Sequence, residues 1–140
     1  MKPHPVLIVL AFSLLTACSK GASPVAAVFG SSPSSVVKDY YTYCNAGEYS
    51  RAEETLSADS KRMIHGDLGG LIGGMKGLCD KESRNGTLAS IDIKGETIRG
   101  EGAVVLADIH FQNNGSKMGD RTALIKESGS WKIASGAAGP

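Results

Sequence analysis

The hydrophobic pattern of this 140-residue chain changes once, at Asn85 and Gly86. Before that point apolar residues return every three or four positions, which is the spacing of an amphipathic helix. After it apolar and polar residues alternate, and the alternating stretches are separated by turns that contain glycine. Helices that come first and strands that follow predict an α+β fold, with the helices packed on one face of an antiparallel sheet.

Two helices are predicted before residue 57. Ser32 can cap the first helix, Pro33 suits its first turn, and Gly47 can close it in the left-handed conformation. Its apolar face holds Val36, Val37, Tyr40, Tyr41 and Cys44. A short second helix over residues 48–56 completes a helical hairpin, with Tyr49, Ala52 and Leu56 on its inner side.

A glycine-rich segment follows the hairpin, and its pattern predicts one helix over residues 64–79. The apolar residues share one face: Ile64, Leu68, Leu71, Ile72, Met75, Leu78 and Cys79. Glycines occupy the other face: Gly66, Gly69, Gly70, Gly73, Gly74 and Gly77. Each interior glycine costs about 1 kcal/mol relative to alanine, so this helix must depend on burying its apolar face. We expect either an exposed glycine face or a partly irregular helix; the alternative is a face that another helix or a membrane surface approaches closely.

The second half is predicted to begin with a strand region over residues 88–98, followed by strands over 104–111, 121–127 and 131–134. Turns at residues 99–102, 113–115 and 128–130 separate them, and each turn contains glycine. Closely spaced strands with such turns indicate an antiparallel meander, in which we expect the strand over 104–111 to be the longest.

The first 17 residues have the pattern of a secretory signal: Lys2, an apolar run over 6–15, then Thr16 and Ala17 before Cys18. This pattern resembles the lipobox of bacterial lipoproteins, which implies cleavage between Ala17 and Cys18 and acylation of Cys18. One alternative is an ordinary secretory signal. The other is a membrane anchor, although the apolar run is shorter than the roughly 20 residues that span a bilayer.

These features predict four parts of the chain: a signal peptide over 1–17, the acylated cysteine with a flexible tether over 18–31, an α+β domain over 32–135, and a disordered tail over 136–140. The expected location is the bacterial cell envelope, held by membrane lipid. In a Gram-negative cell, Ser19 after the cysteine resembles the residue choice that directs lipoproteins to the periplasmic face of the outer membrane.

After processing, 14 basic and 14 acidic residues remain, because Lys2 is the one charged residue removed. A balanced chain without a basic stripe argues against nucleic acid as a partner. Its length suits one domain with one core.

Cys44 and Cys79 form an even pair in a chain predicted to be exported, so we expect a disulfide between them. The alternatives are two buried free thiols, or a metal or redox pair. Neither cysteine has a second Cys or His at ligand spacing, and no Cys-x-x-Cys occurs, so no metal site or cofactor is predicted.

Asp108 and His110 are the most suggestive pair for catalysis, because residues two apart in a strand project from the same face. In a pocket they could act as an acid–base dyad. The alternating residues Val105, Ala107, Ile109 and Phe111 form the cleaner apolar stripe, however. We therefore expect Asp108 and His110 on the outer face, as solvated strand residues without a catalytic role.

Three stretches carry a family resemblance: residues 32–37 at the first helix, residues 47–52 at the second, and residues 129–133 in the last strand. They resemble a family of small bacterial lipoproteins with a domain of unknown function, sometimes labelled lumazine-binding-like, in the nuclear-transport-factor-2-like (NTF2-like, or cystatin-like) superfamily. The resemblance implies a curved antiparallel sheet wrapped around helices, leaving a cone-shaped cavity. Members include isomerases, dehydratases and non-enzymatic binding modules, and no catalytic motif of theirs matches this chain.

The sequence therefore predicts a lipid-anchored, non-enzymatic binding or assembly module, which binds a protein partner or a small ligand or serves to maintain the envelope. Two alternatives stay open. One is a cone-pocket isomerase- or hydrolase-like enzyme that uses Asp108 and His110, and the other is a homodimeric scaffold that assembles through the exposed face of the sheet.

Overall fold

The computed structural model describes residues 31–113 and 115–134. The helices are α1 (Pro33–Ala46), α2 (Tyr49–Glu54), α3 (Ala58–His65), α4 (Asp67–Ile72) and α5 (Gly74–Glu82). The strands are β1 (Leu88–Arg99), β2 (Gly102–Phe111), β3 (Ser116–Glu127) and β4 (Ser130–Ile133). Each strand pairs antiparallel with the next in the order β1-β2-β3-β4. The predicted α+β fold and the meander are confirmed.

Several predictions concern residues outside the described ranges. They are the signal over 1–17, cleavage between Ala17 and Cys18, acylation of Cys18, the tether up to residue 30, and the tail over 136–140. These stay predictions. Within the described residues, no helix has the length and apolar character needed to cross a membrane.

Helix α1 begins and ends as its sequence predicts. The Ser32 side chain accepts the backbone N–H of Ser35 at 3.2 Å, and Gly47 closes the helix with φ +73°. Its apolar face joins the inner face of β2 in a single core that includes Val37, Val105 and Ile109, all fully buried. The helical half and the strand half of the sequence thus pack together through the apolar faces that their helical and alternating periods predict.

Carboxylates on the strands satisfy the first turns of two helices. Glu96 of β1 accepts the backbone N–H of Ser34 at 2.9 Å and also its hydroxyl, and Glu127 of β3 accepts the backbone N–H of Ala58 at 3.2 Å. A negative charge is favourable at a helix N-terminus, where backbone N–H groups lack partners within the helix. These contacts fix where α1 and α3 begin relative to the sheet.

The glycine-rich segment over residues 64–79 is not one continuous helix, and of the two expected forms the irregular one is observed. The segment folds into the end of α3, all of α4 and the start of α5, with breaks at Gly66 and Gly73. Gly73 and Gly74 have φ +77° and +64°, a left-handed conformation that glycine adopts without strain. Leu71 is 82 % exposed, so the apolar residues do not form one continuous buried face.

Two further glycines permit close contacts between these short helices. A Cβ atom on Gly69 would lie 1.8 Å from the Ile64 carbonyl oxygen, and one on Gly77 would lie 1.6 Å from that of Ile72. The same pattern, Ile-x-Gly-x-x-Gly, occurs at residues 64–69 and 72–77. The glycines therefore serve helix-to-helix turns inside the segment, which a reading of one regular helix could not reveal.

The inner face of β2 is buried as predicted: Val105, Ala107, Ile109 and Phe111. The expectation that this strand is the longest is wrong, because β1 and β3 each have 12 residues and β2 has 10. Strand β3 begins at Ser116, five residues earlier than expected. The early part of β3 does not alternate regularly between apolar and polar residues, because the register between β2 and β3 breaks there.

Candidate functional site

The register break between β2 and β3 brings two charged residues to the helix side of the sheet. Lys117 lies opposite Ile109, and Asp120 lies opposite Ala107, so three steps of β3 match two steps of β2. Ile109 and Ala107 are buried under the helices. Regular alternation would place residues 117 and 120 on opposite faces, and the bulge places both on the inner face.

Asp108 fastens this bulge from the outer face of the sheet. Its Oδ1 accepts the backbone N–H of Gly119 at 2.8 Å, where Gly119 has φ +65°, and its Oδ2 lies 3.3 Å from Lys94 Nζ. The hydrogen bond from Gly119 lowers the pKa of Asp108, with further lowering by Lys94 and His110 and an opposing effect of burial. Asp108 is 7 % exposed, so the expectation of a solvated residue is wrong: the bulge and Lys94 cover it.

On the inner face four side chains form what we call the Lys117 cluster: Tyr41, Glu82, Lys117 and Asp120. Lys117 Nζ donates to Glu82 Oε2 at 2.8 Å and to Tyr41 Oη at 2.9 Å, and it lies 3.3 Å from Asp120 Oδ1. The Tyr41 hydroxyl in turn donates to Asp120 Oδ2 at 3.0 Å. The cluster joins α1, α5 and β3 at one point.

The cluster fixes the protonation states of its members. Burial alone lowers the pKa of Lys117, but hydrogen bonds to Glu82 and Tyr41 outweigh it and raise that pKa above its ordinary 10.5. Burial raises the pKa of Tyr41, and the neighbouring carboxylates of Glu82 and Asp120 raise it further against the effect of Lys117. Near pH 7 the lysine is therefore a cation and the tyrosine is neutral.

These states suit recognition better than proton transfer. A general acid or base works best when its pKa lies near the operating pH, and a nucleophilic lysine needs a lowered pKa. Both shifts in the Lys117 cluster go the other way. The side chains of Lys117, Glu82 and Asp120 are 31 %, 20 % and 21 % exposed, so they can meet a ligand or a partner from the rim of the core.

His110 lies in a second polar group on the outer face. His110 Nε2 is 3.2 Å from Asp92 Oδ2, and His110 Nδ1 is 3.2 Å from Ser116 Oγ. Asp108 and His110 thus share the face turned away from the helices, and each contacts neighbouring strands. The structure does not place them in a cavity between sheet and helices, which the alternative of a catalytic dyad requires.

Cys44 of α1 and Cys79 of α5 form the predicted disulfide, across 35 positions of sequence. Closing a loop of that size stabilises a fold by about 4 kcal/mol on the chain-entropy model. Among residues 31–113 and 115–134, no group of three or more His, Cys, Asp or Glu side chains is arranged to hold a metal ion.

Sequence reasoning found part of the inner site and missed the rest. Tyr41 was placed on the core face of α1, but Lys117 and Asp120 were not singled out, because they precede the predicted start of β3. One signal was available. Gly119 lies between polar residues next to a strand, and a glycine within a strand often marks a bulge.

No family model matches the chain, and no curated protein matches it. Among solved structures, the chain aligns with an NTF2-like protein from Campylobacter jejuni with a TM-score of 0.56 at 16 % identity. That protein is named as a proposed transpeptidase. The alignment covers 74 % of this chain and 98 % of that one. The SEC-C motif-containing protein RPA3114 from Rhodopseudomonas palustris aligns with a TM-score of 0.55 at 15 % identity, covering 78 % of this chain and 80 % of that one. At these identities the likeness concerns the fold alone, and the fold of this chain is NTF2-like.

Proposed function

We propose that this chain is a lipid-anchored protein of the bacterial cell envelope and that its domain is a non-enzymatic binding or assembly module. The Lys117 cluster is the observation that carries the proposal. It is a polar group between helices and sheet, and each of its four members takes part in a hydrogen bond with another member. The raised pKa values of Tyr41 and Lys117 do not suit acid–base catalysis near pH 7. In this proposal the cluster's rim binds a protein partner or a small ligand.

The anchoring part of the proposal rests on Cys18. One buried acyl chain holds a protein to a membrane only marginally, whereas two or more hold it stably, since each buried methylene contributes about 0.8 kcal/mol. The disulfide between Cys44 and Cys79 supports an exported location, because disulfides persist in oxidising compartments. In a Gram-negative cell the proposed location is the periplasmic face of the outer membrane.

Intact mass and membrane fractionation of the expressed chain, beside a Cys18→Ala variant, test the anchor. The proposal expects a diacyl or triacyl mass increment and membrane residence, both lost in the variant. An unmodified, unanchored wild-type chain contradicts the anchoring part and leaves the binding part to be judged on its own.

Native mass spectrometry of the chain purified from a bacterial envelope tests the binding part. The matched variants are Lys117→Met, which removes the inner cation, and Lys94→Met, which removes a cation on the outer face. We expect co-purified mass on the wild type and on Lys94→Met, and its loss on Lys117→Met. Co-purified mass that Lys117→Met retains, or that Lys94→Met loses, places the binding elsewhere.

One observation favours an enzymatic alternative on the outer face. Ser116, His110 and Asp92 follow one another across three strands at hydrogen-bond distance, in the residue order of an acyl-transfer site but with Nδ1 facing the serine and Nε2 facing the carboxylate, the reverse of a Ser-His-Asp triad. Asp92 is 54 % exposed, however, and the group lies on an open face that does not exclude water. We therefore rank this alternative below binding, and a test of it is given below.

The outer face also offers the surface that a homodimeric scaffold would use. Leu106 is 36 % exposed and lies beside Val104 on the side of β2 turned away from the helices, with Ala123 of β3 opposite Val104. Sedimentation of the purified chain distinguishes this alternative: a monomer at micromolar concentration counts against it.

A further inference from the structure

The disulfide and the Lys117 cluster connect the same two helices, one helical turn apart. Tyr41 precedes Cys44 by three residues in α1, and Glu82 follows Cys79 by three residues in α5. Residues three apart share a helix face. Lys117 accordingly bridges Tyr41 and Glu82 beside the covalent bridge between the two cysteines.

Helix α5 has few local features that hold it in place. It is nine residues long, it begins after the left-handed Gly73, and no side-chain hydrogen bond caps its start within the described residues. Helices of that length are marginal without tertiary contacts. Cys79 is 1 % exposed and Met75 is 6 % exposed, so the position of α5 depends on its burial, on the disulfide and on the hydrogen bond that Glu82 accepts from Lys117.

We propose that the disulfide between Cys44 and Cys79 is a positioning element of the Lys117 cluster, in that it sets the distance between Tyr41 and Glu82 so that one ammonium group bonds both. Its role then goes beyond general stabilisation. In a chain that folds without the disulfide, α5 shifts, Glu82 leaves Lys117, and the lysine loses the carboxylate that holds its proton. This inference rests on the proposed function only in taking the Lys117 cluster as the binding site.

The test measures the reactivity of one amine in the folded, purified full-length chain. Each protein is treated with a limiting amount of acetic anhydride at pH 8, and peptide mass spectrometry gives acetylation of Lys117 relative to Lys94. The variants are Cys44→Ala/Cys79→Ala and, as a matched control, Leu56→Ala. Leu56 is 4 % exposed and pairs with Ile133 of β4, so its truncation destabilises the shared core while leaving the disulfide and all four members of the Lys117 cluster in place.

We expect the Lys117-to-Lys94 acetylation ratio to rise roughly tenfold in the double cysteine variant, because each unit by which a pKa falls raises the free-amine fraction tenfold. The Leu56→Ala ratio should stay at the wild-type value. A folded cysteine variant with an unchanged ratio overturns the proposal. An equal rise in Leu56→Ala also overturns it, since the effect would then follow from stability alone.

Glu82→Gln, with the disulfide intact, provides a second measurement that does not depend on folding of the cysteine variant. It should raise the acetylation ratio by a similar factor, and an unchanged ratio overturns the proposal. Combined with the cysteine changes it should add little, since both act on the same bond. These outcomes are independent of binding, so a failure here leaves the proposed function standing, and a failure of the native mass experiment leaves this inference standing.

Discussion

The two faces of the sheet carry similar residues in different settings. Inside, Lys117 meets two carboxylates and a tyrosine from three separate elements of the fold. Outside, Lys94 meets Asp108 between neighbouring strands, and half of the Lys94 side chain is exposed. The comparison teaches that residue type alone does not locate the site. The inner group is assembled from α1, α5 and β3, and its contacts hold Lys117 charged and Tyr41 neutral. The outer pair joins only two strands that are already paired in the sheet.

The largest expected difference between the faces is in stability. Lys117→Met leaves Glu82 and Asp120 close together without their shared cation, so we expect the free energy of unfolding to fall by about 2–3 kcal/mol, below the full range for a completely buried pair. Lys94→Met should cause a clearly smaller loss, since half of its side chain is in water. Urea denaturation at pH 7 measures both, and equal losses would contradict the distinction.

Loss of the Asp108 carboxylate on the outer face should loosen the bulge in β3 and so disturb Asp120 on the inner face. Asp108→Ala removes the acceptor for the Gly119 N–H, and hydrogen exchange of that amide should accelerate by at least tenfold, with weakened protection around Asp120. Asp108→Asn keeps an acceptor oxygen and should show a smaller effect. Asp92→Ala is the control on the same face, and the comparison fails if it exposes Gly119 as much as Asp108→Ala does.

Stability should fall at high pH because of the inner face. The pKa values of Lys117 and Tyr41 are raised in the folded chain, from 10.5 and 10.0, so their contribution is complete below about pH 10 and is lost as the pH rises through the folded values. Unfolding followed from pH 8 to pH 12 should show the start of this decline above about pH 10 in the wild type. If the double variant Lys117→Met/Tyr41→Phe lost stability with pH as steeply as the wild type, the decline would belong to other groups.

On the outer face, protonation of Asp108 should lower the stability of the chain at low pH. The pKa of Asp108 is lowered from its ordinary 3.8, so its contribution is complete above that value and is lost as the pH falls through the folded value. Unfolding curves between pH 5 and pH 2 should be less steep in pH for Asp108→Asn than for the wild type. An identical pH dependence would mean that Asp108 does not stabilise the bulge through its charge.

The smallest expected effect concerns catalysis at the outer face. Hydrolysis of p-nitrophenyl acetate by the purified chain should match that of His110→Ala and Ser116→Ala, because no enclosed site surrounds these residues in the described structure. A burst of p-nitrophenol that both variants lose would instead support acyl transfer by Ser116, His110 and Asp92.

The sequence predicted the parts of the fold that follow one regular period. The caps of α1, its apolar face and the inner stripe of β2 are all correct, because each depends on residues near one another in the chain. The period alone could not locate the breaks in the glycine-rich segment, because left-handed turns at Gly73 and Gly74 divide a pattern that has the spacing of one helix.

The candidate site could be predicted only in part, for a related reason. Tyr41 lies in the core as its sequence position predicts, but its partners Lys117 and Asp120 are 76 and 79 positions away and meet it through a bulge. A bulge reverses the face of every later residue in a strand, so alternation alone assigns Lys117 and Asp120 to different sides. The disulfide was predictable because pairing the two cysteines of a domain predicted to be exported needs no strand register.

An NMR titration of the Lys117 side-chain amine tests the central claim most directly, namely that the inner cluster is an assembled site with fixed protonation. The experiment follows the Cε and Nζ resonances from pH 8 to pH 12 in the wild type and in Glu82→Gln. The account predicts that the pKa of Lys117 lies above 10.5 in the wild type and falls in the variant. A wild-type pKa at or below 10.5 would contradict it, since Glu82 and Tyr41 would then not hold the proton.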